Sequence, residues 1–272
     1  MPVDLVKSHA YGNDFLLVRS DQVRDRDPAA LARALCDRQT GVGADGVILF
    51  RPVFGGAEMW LFNADGSRAE VSGNGVRCLA AWLLESGLAE ERASSPVVVL
   101  TEAGEKRLWP IGREGRRRVF RAEMGKPTDL TERRLRVGSD DLTVVTLRVG
   151  NPQCVVLGEA NDARLHKYGL ALATHPAFPE GTNVEFAEVE APGTVRIVIW
   201  ERGVGPTRAS GTGACAAAVA AMAYGGAARA VDVVAPGGTQ HVEWRDDGIY
   251  LTGWADVILE GRWLVEPGES QR

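Results

Sequence analysis

The sequence predicts a protein of the α/β (α+β) class, built from two similar halves that each wrap strands around one buried helix. Three observations carry this prediction: strand segments outnumber helices, two helices are apolar on nearly all sides, and a Ser-Gly motif opens each of those two helices. A helix that is apolar all round is a buried helix. The chain of 272 residues has room for one large domain or two of ordinary size.

A set of polar motifs recurs at one constant spacing. The SGNG motif at 72–75 returns as SGTG at 210–213, which is 138 residues later. Three further pairs keep this spacing: Gly12-Asn13 with Gly150-Asn151, Gly43-Ala44-Asp45 with Gly181-Thr182-Asn183, and Asn63 with Glu201. This register predicts two halves with matched polar sets, residues 1–125 and 126–272. The first strand or the C-terminal tail (266–272), which is typical of a frayed end, is free to cross to the other half.

Local patterns predict the individual elements. Short apolar runs between Gly, Asp and Asn predict strands, of which examples are residues 14–19, 46–50, 96–100, 142–149, 195–200 and 230–234. Three helices are predicted. Residues 28–36 carry apolar side chains on one face, and residues 75–86 and 213–224 form the two buried helices.

Composition excludes several function classes. A net charge of −5 does not favour a nucleic-acid partner, and the basic run at 113–118 is typical of a solvated turn or strand edge. We find no stretch long enough to cross a membrane and no signal-peptide layout. The four cysteines show no CxxC pairing and the four histidines are scattered, so we expect a cytoplasmic protein without disulfides or metal.

The two helix starts are candidate anion sites. The first turn of a helix has unsatisfied N–H groups and a partial positive charge, and glycine allows close approach of a ligand. Gly73-Asn74 and Gly211-Thr212 would therefore suit a carboxylate. The competing interpretation is simple capping, in which Ser72 and Ser210 satisfy their own helices.

Further polar residues accompany the helix starts. Asn13, Asn63, Asn151 and Asn183 are predicted in turns or at strand ends, where their amides could bind a zwitterion or only build the turns. The Glu201-Arg202 pair follows an apolar strand and could hold a substrate ammonium and carboxylate, or form a surface ion pair.

At these residues the chain resembles the diaminopimelate epimerase family nearly end to end. The matching stretches are HAYGNDF (9–15), CDRQTGVGADG (36–46), NADGS (63–67), SGNGVRC (72–78), GNP (150–152), NVEF (183–186), ERGVG (201–205) and SGTGAC (210–215). The resemblance implies two pseudo-symmetric halves, each a strongly curved, mostly antiparallel sheet around a central helix, with an active-site cleft between them.

The resemblance also implies a reaction. The family epimerises LL- to meso-diaminopimelate for lysine and peptidoglycan synthesis, and it does so without pyridoxal phosphate or another cofactor. One thiolate removes the α-proton and a thiol on the opposite side returns one. By position, the implied substrate contacts are Asn13, Asn63, Gly73, Asn74, Asn151, Asn183, Glu201, Arg202, Gly211 and Thr212.

The chain departs from the family at the reacting positions. Ser72 and Ser210 stand where the family has its two catalytic cysteines, and Gln153 stands where it has a histidine. Pro206 replaces a glutamate, Ala10 a glycine, and Gly46 an often larger polar residue. A thiol with a reference pKa of about 8.5 gives a thiolate near neutrality, whereas a serine hydroxyl is a poor base unless a neighbour activates it. Cys78 and Cys215 lie more than a helical turn beyond the serines and are expected to be buried.

Several interpretations of the function therefore stay open. The chain is an amino-acid epimerase or racemase of this type, a catalytically inactive or divergent relative that binds a small amino acid, or a related enzyme that needs only one weak base. A Cys-to-Ser variant of an active enzyme would also show the two serines, but it would not need Gln153 and Pro206. A symmetric homodimer is the default expectation for the assembly.

Overall fold

The computed structural model describes residues 2–92 and 95–264. The chain divides into two compact units. The first contains the residues up to Ala122 together with those from Trp254 onward, and the second contains Glu123–Gly253. The two-half α+β class that the sequence predicts is confirmed. The predicted C-terminal tail at 266–272 lies outside the described residues.

The first unit begins with an antiparallel strand pair and contains two helices. Its elements are β1 (Val3–Ala10), β2 (Asn13–Arg19), α1 (Pro28–Cys36), β3 (Gly46–Val53), β4 (Gly56–Asn63), β5 (Arg68–Ala69), α2 (Gly73–Glu85), β6 (Val97–Thr101), β7 (Gly104–Glu114) and β8 (Arg117–Gly125). The strand β8 continues past Ala122, where the division falls.

The second unit repeats this order after one additional strand, β9 (Thr128–Val137). Its other elements are β10 (Asp140–Val149), β11 (Asn151–Leu157), α3 (Asp162–Ala173), β12 (Asn183–Ala191), β13 (Thr194–Glu201), β14 (Gly205–Thr207), α4 (Gly211–Tyr224), β15 (Ala230–Ala235), β16 (Gly238–Trp244) and β17 (Ile249–Trp263). The part of β17 from Trp254 onward belongs to the first unit, where it pairs antiparallel with β1.

Strand pairing repeats between the units in kind as well as in order. In the first unit β2 runs parallel to β3 and β4 runs parallel to β6, while β3 with β4 and β6 with β7 are antiparallel. In the second unit β11 with β12 and β13 with β15 are parallel, while β12 with β13 and β15 with β16 are antiparallel. The short strands keep the 138-residue spacing, since Leu61 pairs with Ala69 and Ile199 with Thr207. The sequence repeat is therefore a structural repeat.

Each unit has one buried helix. In α4 every residue from Gly211 to Ala221 is buried, and its alanine-rich surface packs among Val145, Ile197 and Val231. The buried face of α2 extends from Gly73 to Leu84 and is interrupted at Trp82. Both helices were predicted as buried, which is confirmed, but each begins two residues earlier than predicted because its serine cap precedes the glycine-containing first turn.

The structure differs from the sequence prediction at two other places. The helix α3 was not predicted: its polar first half and Gly169 weaken the helical pattern, and Gly169 is needed because the Trp200 ring lies 2.7 Å from where its Cβ would be. The basic run at 113–118 is mostly an exposed hairpin, as expected, except for Arg118. That side chain is buried and donates to Glu91 at 2.7 Å.

The tight packing of α4 gives a testable prediction. Ala217 is fully buried, so Ala217→Leu adds volume where the surrounding strands leave none. We expect urea unfolding to show a loss of about 1–3 kcal/mol. Tyr224→Leu at the exposed end of the same helix is the control and should change stability by less than about 0.5 kcal/mol. Equal stability of the two variants would contradict a closely packed α4.

Candidate active site

The two conspicuous serines cap their helices in the same way. Ser72 Oγ accepts a hydrogen bond from the Gly75 amide at 3.1 Å, and Ser210 Oγ accepts one from the Gly213 amide at 3.1 Å. Both serines have extended backbones, with φ −128° and ψ 125° for Ser72 and φ −137° and ψ 130° for Ser210. The capping interpretation therefore holds for both serines. It satisfies one amide in each first turn, whereas a helix begins with several amides that lack an intrahelical acceptor.

The four asparagines that were predicted as site residues all lie at strand ends. Asn13, Asn151 and Asn183 begin β2, β11 and β12, and Asn63 ends β4. Glu201 ends β13, which is the counterpart of β4. The motif pairs that contain Asn13 and Asn63 thus occupy equivalent places in the repeated topology, whereas Asn183 lies one residue further along its strand than the spacing predicts.

In the first unit a hydrogen-bonded chain joins Asn13 to the start of α2. The Asn74 side chain donates to Asn13 Oδ1 at 3.1 Å, and Asn13 donates to Asp45 Oδ2 at 2.8 Å. Arg77, which is fully buried, donates to Asn74 Oδ1. Because both carboxamides are oriented by these bonds, the start of α2 presents a fixed polar surface.

Charged residues that the sequence analysis had not singled out orient this series of hydrogen bonds. Arg38 contacts Asp45 at 2.9 Å and Asp14 at 2.8 Å, and Lys7 contacts Asp14 at 3.0 Å. Burial raises the pKa of Asp14, but the hydrogen bonds from Arg38 and Lys7 outweigh it, so this pKa lies below its usual range. The recurrence of Gly43-Ala44-Asp45 was the signal for Asp45 in the sequence.

Asn63 has a local role in this structure. Its side chain donates to Ser67 Oγ at 2.9 Å, and its amide donates to the Ser67 carbonyl at 2.8 Å. It therefore holds the turn between β4 and β5, as the turn-building interpretation expects. Nearby, a Cβ on Gly46 would lie 2.8 Å from the Phe62 carbonyl oxygen, so this backbone excludes the larger residue that the family often has there.

In the second unit the polar residues form two separate contacts. Gln153 donates to Asn151 Oδ1 at 2.6 Å, and the Arg202 amide donates to Asn183 Oδ1 at 2.9 Å. Residues Gln153 and Asn183 are partners in the parallel pairing of β11 with β12. The exposed Arg202 side chain donates to the Glu180 carbonyl at 2.6 Å, so its guanidinium is already oriented.

Glu185 is the feature that the sequence interpretation missed. This side chain is fully buried, and neither carboxyl oxygen has a hydrogen-bond partner in the described part of the chain. Burial, and then the nearby charge of Glu201, raise its pKa well above the usual value. The signal in the sequence was a carboxyl inside the apolar strand segment Val184–Phe186, within the NVEF stretch that matches the family.

The cysteine thiols are poorly suited to acid–base chemistry because they are buried. All four cysteines are buried and free of disulfides. Burial raises the pKa of Cys78 and of Cys36 to about 12. The expectation that Cys78 and Cys215 are buried is confirmed, and a thiolate at Cys78 is disfavoured at neutral pH.

The described residues contain neither a candidate metal cluster nor a candidate membrane-spanning helix. The ranges 2–92 and 95–264 contain no group of three or more His, Cys, Asp or Glu side chains that could hold a metal ion. No described helix is long and apolar enough to cross a membrane.

The fold is shared with amino-acid racemases and epimerases. A probable proline racemase from Agrobacterium radiobacter superposes with a TM-score of 0.77 at 19% identity, covering 98% of this chain and 94% of that one. A hydroxyproline epimerase from Agrobacterium vitis, solved with bound trans-4-hydroxy-L-proline, gives a TM-score of 0.76 at 18% identity over 96% of this chain and 91% of that one. At these identities the likeness shows the fold alone.

The sequence comparisons identify the family. The diaminopimelate epimerase family model matches residues 5–129 and 145–258. Proteins named diaminopimelate epimerase are 42% identical in Desulforudis audaxviator, over 96% of this chain and 99% of that protein, and 37% identical in Pelotomaculum thermopropionicum, over 94% and 97%. The chain belongs to the diaminopimelate epimerase family.

The buried carboxyl of Glu185 makes stability depend on pH. Below the pKa of an unfolded glutamate, about 4.3, both states hold the proton. As the pH rises the unfolded chain loses it first, so stability falls until the pH passes the raised folded pKa. We therefore expect the free energy of unfolding of the wild type to decrease relative to Glu185→Gln between pH 4 and pH 8. Denaturant unfolding of both proteins across this range checks it, and a constant difference would contradict the buried, protonated carboxyl.

Proposed function

We propose that this chain is a cofactor-independent amino-acid isomerase of the diaminopimelate epimerase type. It binds diaminopimelate and inverts one α-carbon by proton removal and return, with Ser72 and Ser210 at the proton-transfer positions. The observation that carries the proposal is the pair of equivalent capped helix starts, each of which has its own set of polar residues at strand ends.

The substrate contacts follow from the equivalent positions in the two units. We assign the carboxylate-binding role to the helix starts Gly73-Asn74 and Gly211-Thr212, since helix N-termini favour anions. The remaining contacts are assigned to the side chains of Asn13, Asn63, Asn151, Asn183, Glu201 and Arg202. The fixed orientation of Asn13 and Asn74 and the oriented guanidinium of Arg202 support this assignment, because preorganised groups lose little entropy on binding.

The two serines determine the rate of epimerisation that we expect. The capping amide and the positive end of the helix both favour an anionic oxygen at Ser72 and at Ser210. A hydroxyl is still a much weaker acid than a thiol, and Gln153 cannot take up a proton. We therefore expect epimerisation to be slow, below about 1 per second, which is the low end of ordinary enzymes.

A second candidate is a relative that binds the amino acid without turnover. It is favoured by one specific observation: the thiols nearest the helix starts, Cys78 and Cys215, are inside the core and cannot replace the missing reacting groups. Both candidates use the same binding residues, so only a measurement of proton transfer separates them.

We also propose that the protein works in the cytoplasm as a homodimer. Four buried thiols that form no disulfide fit a reducing compartment, and a symmetric dimer is the commonest assembly of soluble enzymes.

The proposal predicts slow α-proton exchange that cysteine accelerates. With LL-diaminopimelate in deuterated water, we expect the wild type to exchange the α-proton slowly and Ser72→Cys/Ser210→Cys to be faster by about 10²–10⁴-fold, the range for an effective acid–base pair. NMR of the substrate reports both exchange and inversion. Ser139→Cys, which adds a thiol at an exposed turn, is the control and should leave the rate unchanged.

Two outcomes would contradict the proposal. Binding of diaminopimelate with no exchange in the double cysteine variant would favour the binding protein instead. Absence of both exchange and a thermal shift, which reports ligand binding to the native state, would exclude diaminopimelate as the ligand.

A further inference from the structure

The two helix starts differ in what lies against their third residue. A Cβ placed on Gly75 would lie 3.0 Å from the Ile48 methyl Cδ1 and 3.5 Å from Ser72 Oγ. A Cβ placed on Gly213 would lie 2.6 Å from Glu185 Oε1 and 3.1 Å from Ser210 Oγ. One capped serine therefore has a methyl group beside its first turn, and the other has a carboxyl oxygen.

The sequence repeat shows the same difference. The strand pairing puts Glu185 at the place of Ile48, because their partners on β13 and β4 are 138 residues apart. Gln153 lies 138 residues after Phe15. Ile48 and Phe15 are buried in the first unit, and their polar counterparts are buried to the same degree in the second. Two apolar core positions of one unit are thus polar core positions in the other, and both lie on strands next to a helix start.

The buried polar atoms at α4 have no structural explanation. Both oxygens of Glu185 and the Oε1 of Gln153 lack hydrogen-bond partners within the described residues. Burying a carboxyl without partners costs several kcal/mol on typical scales, so such a group in a native core calls for a role. The titratable groups that interact with Glu185 are Glu201 and the thiol of Cys154. Neither is a cation that would compensate a buried carboxylate.

We propose that Glu185 is a positioning residue that exchanges a proton with Ser210, so that α4 alone has an acid–base pair and Ser72 at α2 acts without one. This inference rests on the proposed function and deepens it. Glu185 does not need to touch the substrate. The Glu185 Oε1 and Ser210 Oγ atoms lie 2.6 Å and 3.1 Å from one point beside Gly213, near enough for transfer after a side-chain rotation or through one bridging water.

The proton transfer balances within the site. When the substrate carbanion is protonated at α4, the Ser210 O–H bond breaks and a C–H bond forms. Ser210 Oγ takes the proton of the Glu185 carboxylic acid, and the negative charge moves from the α-carbon to the Glu185 carboxylate. The opposite direction reverses each bond change, and exchange with solvent water restores the starting protonation state.

This asymmetry predicts that the two serines are not equivalent when replaced singly. In Ser72→Cys a thiolate supplies the base that α2 lacks, while Ser210 with Glu185 supplies the acid. In Ser210→Cys the unassisted hydroxyl of Ser72 must still act on one face. We expect Ser72→Cys to epimerise LL-diaminopimelate at least about tenfold faster than Ser210→Cys, a conservative share of what one acid–base group contributes.

The experiment compares both single variants with the double cysteine variant by substrate NMR in deuterated water. An active double variant with Ser210→Cys as fast as Ser72→Cys, or faster, overturns the inference and leaves the proposed function standing. An inactive double variant overturns both.

Glu185 itself is tested in the Ser72→Cys background. We expect Glu185→Gln to lower kcat by about 10²–10⁴-fold at an unchanged KM and to remove one limb of the pH profile, and Glu185→Asp to recover part of the rate. Glu190→Gln, an exposed glutamate on the same strand, is the matched control and should change neither. Thermal melting establishes that each variant is folded. A folded Glu185→Gln variant with an unchanged rate and pH profile would overturn the inference.

Discussion

Two hydrogen bonds of one kind determine where the buried helices of this protein begin. The Ser72 and Ser210 hydroxyls accept the amides of Gly75 and Gly213, each at 3.1 Å. A serine cap contributes typically about 1 kcal/mol, and a buried helix start without one would leave an amide unpaired. The strands around α2 and α4, and the polar residues at the ends of those strands, are arranged around these two starts. The capping oxygen also occupies the position where the family resemblance places a reacting thiol.

The two units stabilise their polar residues by different means. In the first unit, ion pairs link Lys7, Asp14, Arg38 and Asp45, and this network orients Asn13 and Asn74. The second unit instead places an uncharged carboxamide and an unpaired carboxyl inside the core, at Gln153 and Glu185. A charged, partly exposed network costs little free energy and fixes geometry, whereas burial of a carboxyl costs more and raises its pKa. The repeat therefore preserves the topology and changes the chemistry.

Much of the fold could be predicted from the sequence, because local signals specify it. The cap serines, the apolar surfaces of α2 and α4 and the constant motif spacing are all visible in short segments. Other features depend on partners that are distant in sequence. Gly169 is acceptable within α3 because of Trp200, Arg118 is buried because Glu91 receives it, and Asp45 is oriented by Asp14 and Arg38. The isolation of Glu185 could not be predicted, because its cause is that no described residue, however distant in sequence, lies within hydrogen-bond reach of its carboxyl.

The central claim is that both capped helix starts bind the ligand, and amide NMR tests it most directly. A titration of the nitrogen-15-labelled protein with LL-diaminopimelate should shift the backbone amides of residues 73–75 and 211–213, because an anion at a helix start changes the shielding of the N–H groups it contacts. We expect both sets to move with one saturation curve. Saturable binding that shifts only one set, or neither, would contradict the account.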